Sequence, residues 1–85
     1  MLINVGAEFG THLESSEIAT ELIDILNKLP GDDFILDFKD VSFITMNYAQ
    51  AYYNGKYESP KKISEINIGE EIRVVMGAAD EACNP

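Results

Sequence analysis

Two carboxylates, Asp37 and Asp40, stand three residues apart at the end of an apolar run, and their types and spacing suggest chemistry. The run predicts a strand, and the ligand sites of parallel sheets gather at the carboxyl ends of strands. Such carboxylates are suited to holding Mg²⁺ with help from a phosphate. The sequence favours the alternative, in which Asp37 is a structural residue that accepts hydrogen bonds from nearby backbone N–H groups.

The other reactive side chains do not form a recognisable catalytic set. His12 is the only histidine, which excludes a metal site built on paired imidazoles, and its place in a turn predicts a surface residue. Ser42 can be combined with His12 and Asp37 on paper, but the turn motif that exposes a serine nucleophile is missing. The glycine-rich phosphate loops GxxxxGK[ST] and GxGxxG are also absent. We therefore predict no catalytic, metal or cofactor-binding residue and no enzyme activity.

A polar segment, Thr45-Met46-Asn47, separates the apolar run from a segment with helical periodicity. A strand-to-helix junction of this kind is a candidate binding surface. All four tyrosines of the chain cluster around the short helix after it, and they cannot all face inward. One interpretation places Tyr48 and Tyr52 in the core, with their hydroxyls reaching its edge. The alternative adds Tyr53 and Tyr57 to a partner interface, where tyrosine is enriched.

The elements that must position these residues begin with a short strand at residues 2–5 and a turn at 9–12, with a brief strand resuming at 11–13. Ser15 or Ser16 caps the first helix, which Pro30-Gly31 ends. Its predicted buried residues recur at helical spacing. They are Ile18, Leu22, Ile25, Leu26 and Leu29.

The central run at residues 34–38 is apolar on both faces until Asp37, as expected for a strand covered on both sides or buried in an oligomer. After it, Val41, Phe43 and Ile44 are expected to pack. Asn47 or Thr45 then caps a second helix that Gly55 closes. Its predicted inward residues lie on one side. They are Tyr48, Ala49, Tyr52 and Tyr53.

Residues 63–68 predict a third main strand, with Ile66 and Ile68 alternating around Asn67. A last helix begins after Gly69, and its inward residues are Ile72, Val75, Met76 and Ala79. A strand at residues 72–76 is the competing interpretation. The order β-α-β-α-β-α predicts a single small α/β domain over residues 1–85 with a mainly parallel sheet.

The chain has 85 residues, 46% of them hydrophobic, and a formal net charge of −9. So few basic residues argue against a nucleic-acid-binding surface, while an acidic face that docks on a basic protein or mimics DNA stays open. Such a short chain often depends on a partner or on self-association, so a homodimer is a candidate state. One cysteine, Cys83, and the lack of a signal segment or a membrane-spanning run predict a cytoplasmic protein without membrane contact.

The stretch ILDFKDVSFITMNYAQAYY resembles the core of STAS domains, the fold of anti-sigma-factor antagonists. It is more similar to the STAS-like group of bacterial and archaeal domains of unknown function. The shared features are a strand ending in Asp37-Phe38, Val41 after a bend, the polar junction 45–47 and the pair Tyr48-Ala49. The beginning at residues 5–15 and the segment 66–72 also fit, so the resemblance covers most of the chain.

The resemblance implies a regulator that binds a histidine-kinase-type ATPase or similar partner through residues 45–47, the following helix and the loop before Ser15. On the junction and helix the implied contacts are Thr45, Met46, Asn47, Gln50, Tyr53 and Tyr57. In antagonist STAS domains a serine at this junction, just after an Asp, is phosphorylated. Here Thr45 occupies the Asp position and Met46 the serine position, so the switch is not carried over. Thr45, one position off register, is the remaining candidate for modification.

Overall fold

The computed structural model describes residues 1–84, which form five strands and four helices. The strands are β1 (Leu2–Asn4), β2 (His12–Leu13), β3 (Asp33–Asp37), β4 (Phe43–Ile44) and β5 (Lys62–Ile66). The helices are α1 (Val5–Phe9), α2 (Ser16–Lys28), α3 (Met46–Glu58) and α4 (Glu70–Cys83). The main sheet is parallel in the order β1-β3-β5, and β2 and β4 form a separate parallel pair. The predicted α/β class with a mainly parallel sheet is confirmed.

One face of the main sheet packs into the core, and the other faces solvent. Phe34, Leu36 and Ile63 point to one side and join the buried cluster with the helices. Ile35 points to the other side, where 38% of its surface is exposed. In β3 the buried residues are Phe34 and Leu36, which alternate with exposed ones, and Asp37 at the end of the strand. The expectation that this chain covers the central strand on both sides is therefore wrong.

The buried face of α2 differs from the predicted one, because the predicted Ile18 and Leu29 are only partly buried, whereas Ala19 and Ile23, which were not predicted, are buried. Ala19, Leu22, Ile23 and Leu26 are buried at spacings of three, four and seven, whereas Ile25 is exposed. Both isoleucines suit a helical pattern, and contact with α3 selects Ile23. At Gly55 of α3, a Cβ atom would lie 2.8 Å from Ile23 Cγ1. Gly55 thus permits close approach of the two helices, and it does not close α3 as predicted, because α3 continues to Glu58.

The first helix, α1, was not predicted. It follows β1 without a loop, and the Asn4 side chain accepts a 3.0 Å hydrogen bond from the Ala7 N–H at its beginning. Val5, expected in the first strand, is the first residue of α1 and is buried. Five residues are too few for a helical period to be visible in the sequence.

The carboxyl-terminal half follows the prediction closely. β5 ends earlier than expected, because Asn67 has a left-handed backbone with φ of 58° and Ile68 lies outside the strand. The helix interpretation of residues 72–76 is confirmed, and Ile72, Met76 and Ala79 of α4 are buried. Val75 is half-buried.

Candidate partner-binding corner

The predicted junction lies at the beginning of α3, and three hydrogen bonds of Thr45 fix its backbone. The Thr45 N–H donates to the Leu13 carbonyl at 3.0 Å. Its hydroxyl accepts from the Tyr48 N–H at 3.2 Å and donates to the Glu14 carbonyl at 2.6 Å. Thr45 is therefore the N-cap of α3, one of the two caps that the sequence allowed, and it ties α3 to β2 and to the loop before α2.

That loop is also firmly held. The Ser15 hydroxyl accepts from the Ile18 N–H at 3.2 Å and caps α2. The Ser42 N–H donates to the Thr11 carbonyl at 2.8 Å, which aligns β4 with β2. Because β2 and β4 are parallel, α2 and α3 begin at the same end of this pair. The structure thus brings together the junction and the loop before Ser15, which are separated along the chain by 31 residues between Glu14 and Thr45.

We give the name corner surface to the exposed side chains of β2, β4 and the first two turns of α3, which are His12, Phe43, Met46, Asn47 and Gln50. All five are exposed. The two apolar members are Phe43, 45% exposed, and Met46, 40% exposed. The Phe43 ring lies 5.9 Å from the His12 ring, since the two residues are partners in the β2–β4 register.

Phe43 was expected to pack into the core, and this was wrong. Strand alternation places its neighbour Ile44 inside instead, where it is buried beside Leu13. A two-residue strand gives too short a pattern to show which of the two points inward. The exposure of a phenylalanine beside the predicted junction is the main feature that the sequence did not reveal.

The Tyr53 prediction also needs correction. Tyr53 is only 4% exposed, so it lies in the core with Tyr48 and Tyr52 and is not displayed to a partner. Tyr48 and Tyr52 lie in the core, as one interpretation placed them. The Tyr52 hydroxyl reaches Glu65, but the Tyr48 hydroxyl is buried without a hydrogen-bond partner among residues 1–84 and does not reach the edge of the core as expected. Tyr57 is exposed on the same helix, and its hydroxyl donates to the Asp80 carboxylate of α4. This hydrogen bond raises the pKa of Tyr57 to about 12.

A charged cluster that the sequence did not indicate joins α3 to β5. The Tyr52 hydroxyl donates to Glu65 Oε2 at 2.5 Å, and Lys56 Nζ donates to the same oxygen at 2.8 Å. Burial, and then the Glu65 charge, hold the pKa of Tyr52 well above its usual value. A phenol that resists ionisation and an ion-paired lysine do not make a nucleophile or a base near pH 7, so the cluster stabilises the packing of α3 on β5.

The Asp37 carboxylate accepts two hydrogen bonds, both at its Oδ1 atom. It accepts from the Lys39 N–H at 2.9 Å and from Asn67 Nδ2 at 3.1 Å. The Lys39 backbone bond is the largest cause that lowers the pKa of Asp37 below its ordinary value. Asp40 instead accepts from Asn4 Nδ2 at 2.9 Å. One of the expected bonds from a backbone N–H to Asp37 is thus present, at Lys39, and the Asn67 side chain supplies the second donor.

The geometry offers no support for the alternatives that used these aspartates. Within residues 1–84, no three His, Cys, Asp or Glu side chains are grouped so that they could hold a metal ion. Across the main sheet the strands follow one another in chain order, β1, β3 and β5. The sheet therefore lacks the reversal of strand order at which parallel sheets open a ligand crevice. Ser42 Oγ donates to the Thr11 carbonyl, and His12 Nδ1 shares a hydrogen bond with Thr11 Oγ1. Neither bond links Ser42 to His12 or Asp37.

The fold and the corner surface define a small α/β domain with a half-open parallel sheet. No family model matches the chain, and no curated protein or solved structure shows a significant match to it. Along residues 1–84, no helix combines the length and the apolarity that crossing a membrane requires.

Proposed function

We propose that this chain is a non-catalytic regulatory domain that binds a protein partner through the corner surface. The observation that supports it is the exposure of Phe43 and Met46 on a backbone held by the Thr45 hydrogen bonds. Exposed apolar side chains on a rigid frame lose little conformational entropy on binding, and such residues carry most of the energy of an interface.

The class of partner follows from the resemblance to STAS-like domains. It is a histidine-kinase-type ATPase or a similar regulator that docks on the junction between β4 and α3. The domain acts by competition, occupying a surface on the partner that another protein would use. The exposed acidic side chains of the chain set association rate and specificity more than affinity.

The proposal does not include the phosphorylation switch that is expected of an anti-sigma-factor antagonist. Met46, at the serine position of the family, cannot be phosphorylated. Modification of Thr45 would remove the proton that its hydroxyl donates to the Glu14 carbonyl. Regulation therefore comes from the partner's concentration or state, and the corner surface stays constant.

An affinity pull-down from the cells that naturally make the protein tests this proposal. The immobilised wild-type chain is expected to retain an ATPase with a histidine-kinase-type nucleotide-binding domain, and Met46→Asp is expected to lose it. Asp at the first position of α3 suits the positive end of the helix dipole, so the variant keeps its fold. Recovery of no such ATPase, or equal recovery by both baits, would contradict the proposal.

A second candidate function is a small acidic inhibitor that occupies the nucleic-acid groove of a basic protein. The observation that favours it is the exposed face of α2, which displays Glu17, Glu21 and Asp24. Among residues 1–84 the single ion pair joins Lys56 and Glu65, so these acids remain uncompensated. This function predicts a complex that DNA displaces and that weakens steeply as salt rises. A complex held by Phe43 and Met46 would be much less sensitive to salt.

A further inference from the structure

An apolar groove lies beside β1, which is an edge strand of the main sheet. Three elements supply most of its lining, which is Ile3 of β1, Glu8 and Phe9 of α1, and Leu22, Ile25 and Leu29 of α2. The groove has a volume of about 210 Å³, less than the roughly 300–1,000 Å³ of pockets that enclose a whole small ligand. A groove of this size suits one or two side chains of a larger molecule.

The backbone of β1 alternates between β3 and the open edge of the sheet. The Ile35 N–H of β3 donates to the Met1 carbonyl at 2.8 Å, and Leu2 is the register partner of Ile35. In a parallel ladder the backbone groups of successive residues point in opposite directions, so Met1 and Ile3 bond to β3. The N–H and C=O of Leu2 therefore point to the open edge, next to the Ile3 side chain that lines the groove.

The two edges of the main sheet are protected unequally. β5, at the other edge, carries Lys62 and Glu65, and charged side chains keep an edge strand from pairing with another chain. β1 has the sequence Leu-Ile-Asn, without a charged side chain. Open backbone groups beside an apolar groove suit an extended peptide, whose backbone bonds to the edge while its alternate side chains enter the groove.

We propose that the β1 edge and this groove bind an extended segment of a partner protein as an added strand antiparallel to β1. Antiparallel pairing is the more stable per residue, and the partner residue opposite Leu2 exchanges two backbone hydrogen bonds with it. The residues before and after that partner residue point into the groove, so both are apolar. This binding site shares no residue with the corner surface.

The charges around the groove define the rest of the segment. Among the described residues that line it, Glu8 has the one charged side chain, on α1 beyond the carboxyl end of β1. At the other end, the Met1 amino group donates to the Asp33 carbonyl at 3.0 Å. Because α2 runs back towards the beginning of β3, its Glu21 lies nearer Glu8 and its Lys28 nearer Met1. The segment is therefore expected to place a lysine or arginine near Glu8, two residues before its first apolar one.

A second copy of this chain is a poorer occupant of the same edge. Residues 1–10, which include β1 and α1, contain no lysine or arginine. A copy that paired through β1 would therefore bring no basic side chain to Glu8. The net charge of −9 on each copy also opposes self-association. The charges favour a partner segment that carries a basic residue.

Titration of synthetic peptides into the isotope-labelled chain, followed by NMR of its backbone amides, tests the proposal. The probe is the capped peptide Lys-Thr-Leu-Thr-Val, in which leucine and valine enter the groove and lysine meets Glu8. We expect a dissociation constant below about 1 mM and amide shifts at Leu2, Ile3 and Ile25. The Leu2 N–H should also become protected from hydrogen exchange, since it donates to the peptide.

Two altered peptides separate the backbone bonds from the charge. N-methylation of the second threonine removes the N–H that donates to the Leu2 carbonyl and keeps every side chain, and should weaken binding about tenfold. Replacement of the lysine by glutamate should weaken it about threefold. The variant Glu8→Gln should lose this preference for lysine, because the charge that selects it is gone.

Two variants of the chain test the groove itself. Ile25→Gln removes apolar lining from an exposed helical position and should bind the probe at least about threefold more weakly. Val74→Gln, at an exposed position of α4, is the matched control and should bind like the wild type. Circular dichroism checks that both are folded. The comparison of peptides uses the wild-type chain, so it decides the proposal even if Ile25→Gln unfolds.

No amide shift at about 1 mM probe would overturn the proposal. Shifts confined to the corner surface, or an N-methylated peptide that binds as tightly as the probe, would do the same. So would a chain that dimerises without peptide and protects Leu2, because a second copy would then occupy the edge. Met46→Asp leaves the groove intact and should bind the probe like the wild type, so this proposal and the proposed function can fail separately.

Discussion

The Thr45 hydroxyl donates a 2.6 Å hydrogen bond to the Glu14 carbonyl while it accepts one from the Tyr48 N–H. One side chain thus caps α3 and holds the loop that precedes α2. Thr45→Val keeps the shape but loses both bonds, and we expect it to lower the free energy of unfolding by about 1–2 kcal/mol, the usual range for a lost N-cap. Urea denaturation followed by circular dichroism measures the change.

Thr45→Ser is the matched variant for that measurement, because it retains the hydroxyl. Its free energy of unfolding should stay within about 0.5 kcal/mol of the wild type, since serine and threonine are similar caps. Equal losses in the Val and Ser variants would show that the hydroxyl does not hold the corner.

Two helical glycines predict opposite effects of the same substitution. Gly55→Ala places its Cβ 2.8 Å from Ile23 Cγ1, whereas a Cβ at Gly77 in α4 meets no atom within 4 Å. Alanine is the better helix former by about 1 kcal/mol, so Gly77→Ala should stabilise the chain by up to that amount. At Gly55 the overpacking, which typically costs about 1–3 kcal/mol, should outweigh that gain. A melting temperature that rises in both variants would contradict the close contact of α2 and α3.

The bonds to Asp37 predict a dependence of stability on acid. Because the folded pKa of Asp37 lies below the ordinary Asp value of about 3.9, its ionised form stabilises the fold above that value. This contribution is lost as the pH falls through the folded pKa. The difference in free energy of unfolding between the wild type and Asp37→Asn should therefore be largest near neutral pH and shrink as the pH falls below the ordinary Asp value of about 3.9.

Asp32→Asn is the control for this titration, because Asp32 is an exposed aspartate in the neighbouring loop. The prediction concerns the pH dependence of Asp37→Asn in excess of that control. A difference for Asp37→Asn that stays constant from neutral to acidic pH would show that the carboxylate charge does not stabilise the fold.

Long elements were predictable from the sequence, whereas their contacts were not. Serine before an apolar pattern marked α2, and two acids after Gly69 followed by apolar residues at helical spacing marked α4, because caps and helical periods act locally. The choice between Ile23 and Ile25 depends on Gly55, more than thirty residues away on α3. Helix α1 and strand β4 were too short to show a period, so their orientation was set by tertiary contacts alone.

In the candidate site, too, features set by local residue types were predictable from the sequence, whereas features set by tertiary contacts were not. The junction at Thr45 and the structural role of Asp37 followed from residue types that bond to nearby backbone groups. Tyr53 was placed on both the core and the partner side, because tyrosine suits a buried position and an interface equally well. Glu65 was missed because a lone acid in a strand usually points to solvent, and its pairing with Lys56 and Tyr52 exists only in the folded chain.

The most direct test of the proposed function is the affinity of the retained partner for two variants that add the same charge. Met46→Asp lies on the corner surface, and Val74→Asp lies on α4, where Val74 is 74% exposed. Isothermal titration calorimetry should show binding at least about tenfold weaker for Met46→Asp, equivalent to about 1.4 kcal/mol, and a nearly unchanged affinity for Val74→Asp. Equal affinities for the two variants, or a larger loss with Val74→Asp, would contradict a partner that docks on the corner surface.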